Sequence, residues 1–160
     1  MTRIVRIIVF SDSHGDYERL ADIVGRHRGD ADMFIHLGDG EEEFLKLAGV
    51  HPELDMRSVR GNCDWRSSGK SIGMIQACGK KILYTHGHNY RVKNGLSGLC
   101  HAARGMGAKV VLFGHTHTAM SAAEDGMLLI NPGSIAESQK RSYAIVDICE
   151  EYIKPQIIPL

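Results

Sequence analysis

The sequence predicts an α/β fold in which two β-sheets pack face to face with helices outside. Three observations carry this. The first third of the chain alternates strand-like and helix-like runs. The remainder is dominated by strands, with two pairs of them joined by tight turns. The total, about ten strands and three helices, gives too many strands for one open sheet in 160 residues. That length reads as one domain, 1–160, large enough to bury a substantial core.

Each element has its own signal. Residues 3–10, RIVRIIVF, are β-branched and aromatic and predict a buried strand. SDSHGD interrupts the run. Residues 17–27 place Tyr17, Leu20, Ala21 and Val24 at helical spacing. Residues 32–37, DMFIHL, are a second strand, stopped by GDG. EEEFLKLA follows as a helix whose acidic first turn suits the positive end of the helix dipole. Residues 55–60 are a third strand leading into GNCDW. This β-loop-α-β-loop-α-β order predicts parallel strands with right-handed crossovers. SIGMIQACGKKILYTHGH reads as a hairpin turning at Gly79-Lys80. Residues 95–106 are a helix despite several glycines. AKVVLFGHTH is another buried strand, and 119–130 a second hairpin turning at Asp125-Gly126. SYAIVDICE and YIKPQIIPL close the chain as strands, with Pro155 marking the last as an edge.

Composition excludes several classes. Apolar residues are 43% and charged residues 24%, ordinary for a globular chain, and the formal net charge is zero. A nucleic acid polymer is therefore not the expected partner, since such binders carry a basic excess. No apolar run approaches a membrane span, so no membrane partner is expected. MTRIVRIIVFSD is basic and then apolar, but Arg6 interrupts it, and it reads as the first strand rather than a leader. The four cysteines, 63, 78, 100 and 149, form no CxxC pair. Isolated thiols fit a cytoplasmic, reducing setting. Cys78, Cys100 and Cys149 read as small buried hydrophobes.

The chemistry gathers at strand ends. SDSH, Gly38-Asp39, Gly61-Asn62, THGH at 85–88 and GHTH at 114–117 each follow a predicted strand. In an α/β fold the ligand site lies outside those carboxyl ends, so distant loops converge on one place. They deliver Asp12, His14, Asp39, Asn62, His86, His88, His115 and His117. This mixed nitrogen and oxygen set suits Mn, Fe, Zn, Co or Ni rather than Ca or Mg alone. A catalytic metal takes about three or four protein ligands, so the set suffices for two divalent ions. Singly, each motif is weak: a lone Asp-x-His is an ordinary solvated loop, and a lone Gly-Asp is a turn. Five in order, most with an adjacent glycine that permits close backbone approach, are not.

The series Asp12-x-His14, Gly38-Asp39, Gly61-Asn62, His86 and Gly114-His115-x-His117 resembles the calcineurin-like metallophosphoesterase superfamily. GNCD, the small size and NPGS at 131–134 are most similar to its small bacterial and archaeal phosphodiesterase branch. The resemblance implies a four-layer α-β-β-α sandwich of two mixed β-sheets flanked by helices. It implies a dinuclear site in which Asp12, His14 and His117 hold one metal, Asn62, His86 and His115 the other, and Asp39 bridges. Manganese is the first expectation. Asp39, Asn62 and His86 are the residues on which catalysis should depend most directly. A water shared by two dications loses its proton near neutral pH, so direct attack on a small phosphodiester is expected, without a phosphoenzyme. The family also implies a homodimer or larger assembly.

Where many members carry His after that Asn, to protonate the leaving oxygen, this chain has Cys63. A thiol beside two dications loses its proton and is no acid. Cys63 is expected to be a small packed side chain there. Substrates with acidic, aryl-type leaving groups are then favoured, because they need no protonation. Asp64 is expected either to orient a ligand His or to serve the turn. Trp65 is expected to anchor its loop or to stack on a leaving group. His88 is expected behind a ligand or facing phosphate. His36 reads as a core histidine, and His27, His51 and His101 as surface residues. Arg66 and Arg91 could touch phosphate but read equally as ordinary exposed arginines, and Asn131 and Ser134 belong to a turn. Two other readings stand beside the diesterase: a phosphomonoesterase on a small metabolite or nucleotide, and a scaffold resembling the retromer subunit of this fold. Scaffold relatives tend to lose a ligand His; here every motif position is filled.

Overall fold

The structure is a computed structural model and describes residues 2–160. Its strands are β1 (Val5–Phe10), β2 (Met33–His36), β3 (Met56–Ser58), β4 (Ile72–Ala77), β5 (Lys80–Thr85), β6 (Val110–Phe113), β7 (Met120–Glu124), β8 (Met127–Asn131), β9 (Ser142–Ile148) and β10 (Ile153–Pro159). The helices are α1 (Tyr17–His27), α2 (Glu41–Val50) and α3 (Ser97–Gly105), with two short 3-10 turns after β5. One sheet has the order β10-β9-β1-β2-β3 and the other β4-β5-β6-β8-β7.

Alternation along β1 shows how four layers arise. Ile7 and Val9 face the second sheet, packing with Ile82, Tyr84, Val110 and Leu112. Ile8 and Phe10 face the other way, onto Leu20, Ile23 and Val24 of α1 and Phe44 and Leu47 of α2. Successive strand residues point to opposite faces, so a strand covered on both sides must be apolar throughout. On the outer face of the second sheet, Leu83, Val111 and Phe113 pack against Leu99, Cys100 and Ala103 of α3. The order is helices, sheet, sheet, helix.

β1, β2 and β3 are parallel, as the alternating pattern predicts. β5, β6 and β8 are parallel as well, and both hairpins form. The second turns at Asp125-Gly126. The first turns one residue earlier than expected: Ala77 pairs with Lys80, so Cys78 and Gly79 form the turn. Both have positive φ, 51° and 75°, the twist a two-residue hairpin loop needs. Cys78 is thus half-buried at a turn rather than a core residue, while Cys100 and Cys149 are buried. Pro155 lies on β10, an edge strand. No helix among the described residues is long and apolar enough to cross a membrane.

Candidate metal centre

The parallel strands β1, β2, β5 and β6 end at one side of the molecule, and the five motif loops meet there. Backbone hydrogen bonds join them. Asp12 N–H donates to Gly38 O and His14 N–H to Asp39 O, both at 3.0 Å, and Gly114 N–H donates to His86 O at 2.9 Å. The loop after β8 closes the ring: Ser134 Oγ donates to Asp12 O at 2.8 Å, and Asn131 Nδ2 donates to Gly114 O at 3.2 Å. Asn131 and Ser134 therefore brace the site.

Glycines let the loops approach this closely. A Cβ on Gly61 would sit 2.2 Å from Asp39 Oδ1, and one on Gly38 would sit 2.6 Å from Gly61 N. Gly38 also has φ 103°, which side chains disfavour. Eight described non-glycine residues have positive φ, and five of them are Asp12, His14, Asp39, His115 and His117. Such conformations cost roughly 1–3 kcal/mol each and persist where surrounding contacts over-determine them.

The side chains form two adjoining groups. Asp12, His14 and His117 place ligand atoms within 4.8 Å of one another, and so do Asp39, His86 and His115. Asp39 also groups with His14 and Cys63, so it lies between the two. Asp12, Asp39 and His86 are buried at the floor; His14 and Asn62 are exposed at the rim. Asp12 Oδ2 accepts from Ser11 Oγ and from His115 N–H. Its Oδ1 is buried without an aligned donor and lies 3.2 Å from His117 Nε2. His86 Nδ1–H donates to Leu37 O at 2.7 Å, which fixes the tautomer and turns Nε2 into the site. Nε2 then faces Asn62 Oδ1 at 3.0 Å, His115 Nδ1 at 3.1 Å and Asp39 Oδ2 at 3.3 Å.

Titration follows from this crowding. Burial disfavours the Asp39 carboxylate, but His86 and the Cys63 N–H outweigh it and hold Asp39 well below its usual range. Asp12 is likewise lowered: burial opposes ionisation, and the His117 and His86 contacts prevail. His86 rises, because Asp39 and Asp12 overcome its burial. His115 is pushed down to about 4 by burial and by His86.

These observations test the fit of a divalent metal. One proton on His86 Nε2 could satisfy only one of the three acceptors facing it. A cation held by this group would satisfy all of them, and one held by the Asp12, His14 and His117 group would take up the orphaned Asp12 Oδ1. The donor set around the deeper group, two His nitrogens with a carboxylate and an amide oxygen, fits.

Among the neighbours, Asp64 takes the turn role and Trp65 the loop-anchoring role of their two expected alternatives, while Cys63, His27 and His51 differ from expectation. Asp64 touches no histidine. It accepts four backbone N–H groups, from Asp39 (2.8 Å), Gly40 (3.0 Å), Glu41 (3.2 Å) and Gly61 (2.7 Å). It caps α2, whose own N-cap, Gly40, has no side chain to do so. Cys63 is exposed rather than packed, and its backbone N–H donates to Asp39 Oδ1 at 2.7 Å. Trp65 fixes its indole N–H on Asn62 O at 2.8 Å, yet the residue is 89% exposed. His88 stands 5.3 Å from the His86 ring, with a buried Nδ1 that has no partner. His36 is a core histidine, as expected. His27 and His51 are only partly exposed: His27 bonds Tyr143 Oη at 2.7 Å, and His51 lies 3.3 Å from Glu53. Contacts that sequence reasoning missed are the Leu37 carbonyl, Glu43, which accepts from Ser13 Oγ and Gly15 N–H, and Glu137, 3.6 Å from His117 Nδ1. A carbonyl leaves no sequence signal. Glu43 has one, in the acidic start of α2, but it reads equally as a dipole effect.

A profile of the calcineurin-like phosphoesterase superfamily domain matches residues 5–151. "Probable metallophosphoesterase YsnB" of Bacillus subtilis (strain 168) is 40% identical over 148 residues, spanning 90% of this chain and 85% of that protein. Vacuolar protein sorting-associated protein 29 of Schizosaccharomyces pombe is 34% identical over 116 residues, spanning 72% of this chain and 58% of that one. A solved structure of a predicted phosphoesterase from Streptococcus pneumoniae TIGR4 superposes with TM-score 0.87 at 29% identity, covering 99% of this chain and 91% of that chain. With its five motif loops gathered at one end of a two-sheet sandwich, the chain belongs to the calcineurin-like phosphoesterase superfamily.

Proposed function

We propose that the protein is a phosphodiesterase acting on small phosphodiesters with two divalent metal ions. The observation that carries the metal reading is His86 Nε2, facing three acceptor atoms within 3.3 Å. Asp12, His14 and His117 would hold one ion and Asn62, His86 and His115 the other, with Asp39 available to both. When bound, two dications activate water at neutral pH and neutralise charge on the phosphoryl group. The chain's own groups do the rest. The Leu37 carbonyl keeps His86 in the ligating tautomer. The Cys63 N–H and Asp64 hold the Asp39 loop in place.

Cys63 bears on the leaving group of whichever ester is cleaved. No imidazole follows Asn62 to protonate a leaving oxygen, so good leaving groups are favoured. A scaffold role, suggested by the likeness to the fission-yeast sorting protein, is disfavoured by a ligand set filled at every motif position. The test is hydrolysis of bis(p-nitrophenyl) phosphate and p-nitrophenyl phosphate by stripped protein with Mn, Ni, Co, Zn or Mg restored. Metal-dependent cleavage, faster on the diester and lost in Asp39→Asn and His86→Ala, is expected. Metal binding without turnover of either ester would point to the scaffold instead.

A further inference from the structure

A cavity of about 810 Å³ opens beside the centre and shares Asp39, His14 and Cys63 with it. Its far walls are α2 and the loop between β3 and β4. That volume lies within the range of small-molecule sites and exceeds what a phosphoryl group needs. Two of the chain's exposed large apolar residues line it: Leu45, 53% exposed, on α2, and Trp65, 89% exposed, on the loop. Arg66 and Lys70 line it from the loop and Glu41, Glu42 and Glu43 from α2, so the lining carries both signs of charge.

We propose that this cavity is the subsite for a planar aromatic substituent of the phosphoester, a nucleobase or a simple aryl group, and that Trp65 is its stacking platform. The proposal rests on the phosphoesterase reading above. An indole left this exposed usually costs free energy in water. Here it is held in place: its N–H is spent on Asn62 O, inside the turn that also presents Asn62 to the metals. The ring is therefore registered against the reacting phosphorus by three residues of chain. The loop itself is tied to α2. Glu41 is buried and accepts from Ser58 Oγ at 3.0 Å and from Ser67 Oγ, bracing the loop on both sides of Trp65. A rigid, prepositioned aromatic face binds at low entropic cost. Stacking tolerates any flat π-surface, so the subsite selects a class of substituent rather than one base.

Trp65 is the only tryptophan, so its fluorescence reports on this subsite alone. Zinc-loaded protein is titrated with AMP, phenyl phosphate and ribose 5-phosphate, three monoesters that stand as products to a diesterase. Affinity is measured in parallel by calorimetry. The expected result is saturable quenching by AMP and phenyl phosphate, with AMP binding ~10-fold or more tighter than ribose 5-phosphate. Trp65→Ala removes that advantage. Trp65→Phe, which keeps a stacking face but not the N–H, retains most of it. Quenching by only one aromatic ligand assigns the subsite to nucleobases or to simple aryl groups. Equal affinity for AMP and ribose 5-phosphate with unquenched Trp65 overturns the subsite and leaves the metal reading standing. Failure of all three to bind overturns both.

Discussion

Cys63 stands where the resemblance to the wider superfamily leads one to expect a histidine acid, and a single substitution tests what that costs. Cys63→His should raise turnover of alkyl phosphodiesters while changing aryl diesters little. The ceiling is the ~10²–10⁴-fold that general acid catalysis supplies. No gain on any alkyl ester would remove the missing-acid account. His36 makes a different residue-scale prediction. It accepts from Gly38 N–H at 3.1 Å and lies 2.9 Å from Ser13 Oγ, whose own proton goes to Glu43. Burial pushes it down to about 4. A histidine depressed in the folded state is protonated first in the unfolded chain. Stability from neutral His36 is thus fully present above about pH 6.5 and is lost as pH falls towards 4. Urea unfolding of metal-free protein should show about 2 kcal/mol less stability at pH 5 than at pH 7 from this group. His36→Gln should flatten that slope; an unchanged slope would assign the acid sensitivity elsewhere.

Among the elements, the loops at strand ends matter more than the strands. Strand and helix positions were legible from local signals: a short continuous run of β-branched and aromatic residues for β1, a period between three and four for α1. Asp125-Gly126 announced its turn in the same local way. The Cys78 turn did not, because Cys has no turn preference and its positive φ comes from the register of the flanking strands. The ligand residues were legible through motif order. Their supports were not: Asp64 acts on four N–H groups up to 25 positions away, and nothing local to Asp64 says so. Asp64→Ala leaves those donors without their acceptor. It should cost about 2–3 kcal/mol in unfolding free energy and also weaken metal affinity. A variant as stable as the parent would show that water replaces the carboxylate. Gly61→Ala acts by contact instead. Its methyl would collide with Asp39 Oδ1, so metal affinity should fall at least tenfold by calorimetry while far-UV circular dichroism is unchanged. Undiminished affinity would mean that the two loops part easily.

For the whole molecule, the sandwich separates stability from chemistry. The three apolar clusters hold the sheets and helices, while five of the eight described non-glycine residues with positive φ, and the orphaned Asp12 and His88 atoms, collect at one end. That end is where a ligand should add stability. Metal at ~100 times its dissociation constant contributes about 2.7 kcal/mol, so chelation should lower Tm by roughly 5–10 °C. The most direct measurement is the metal stoichiometry itself, by calorimetric titration of stripped protein with Mn, backed by anomalous scattering from soaked crystals. The account predicts two ions per chain, one within the Asp12, His14 and His117 group and one against Asn62, His86 and His115, both touching Asp39. A single ion, or saturating Mn that leaves the Asp39 carboxylate untouched, would contradict it.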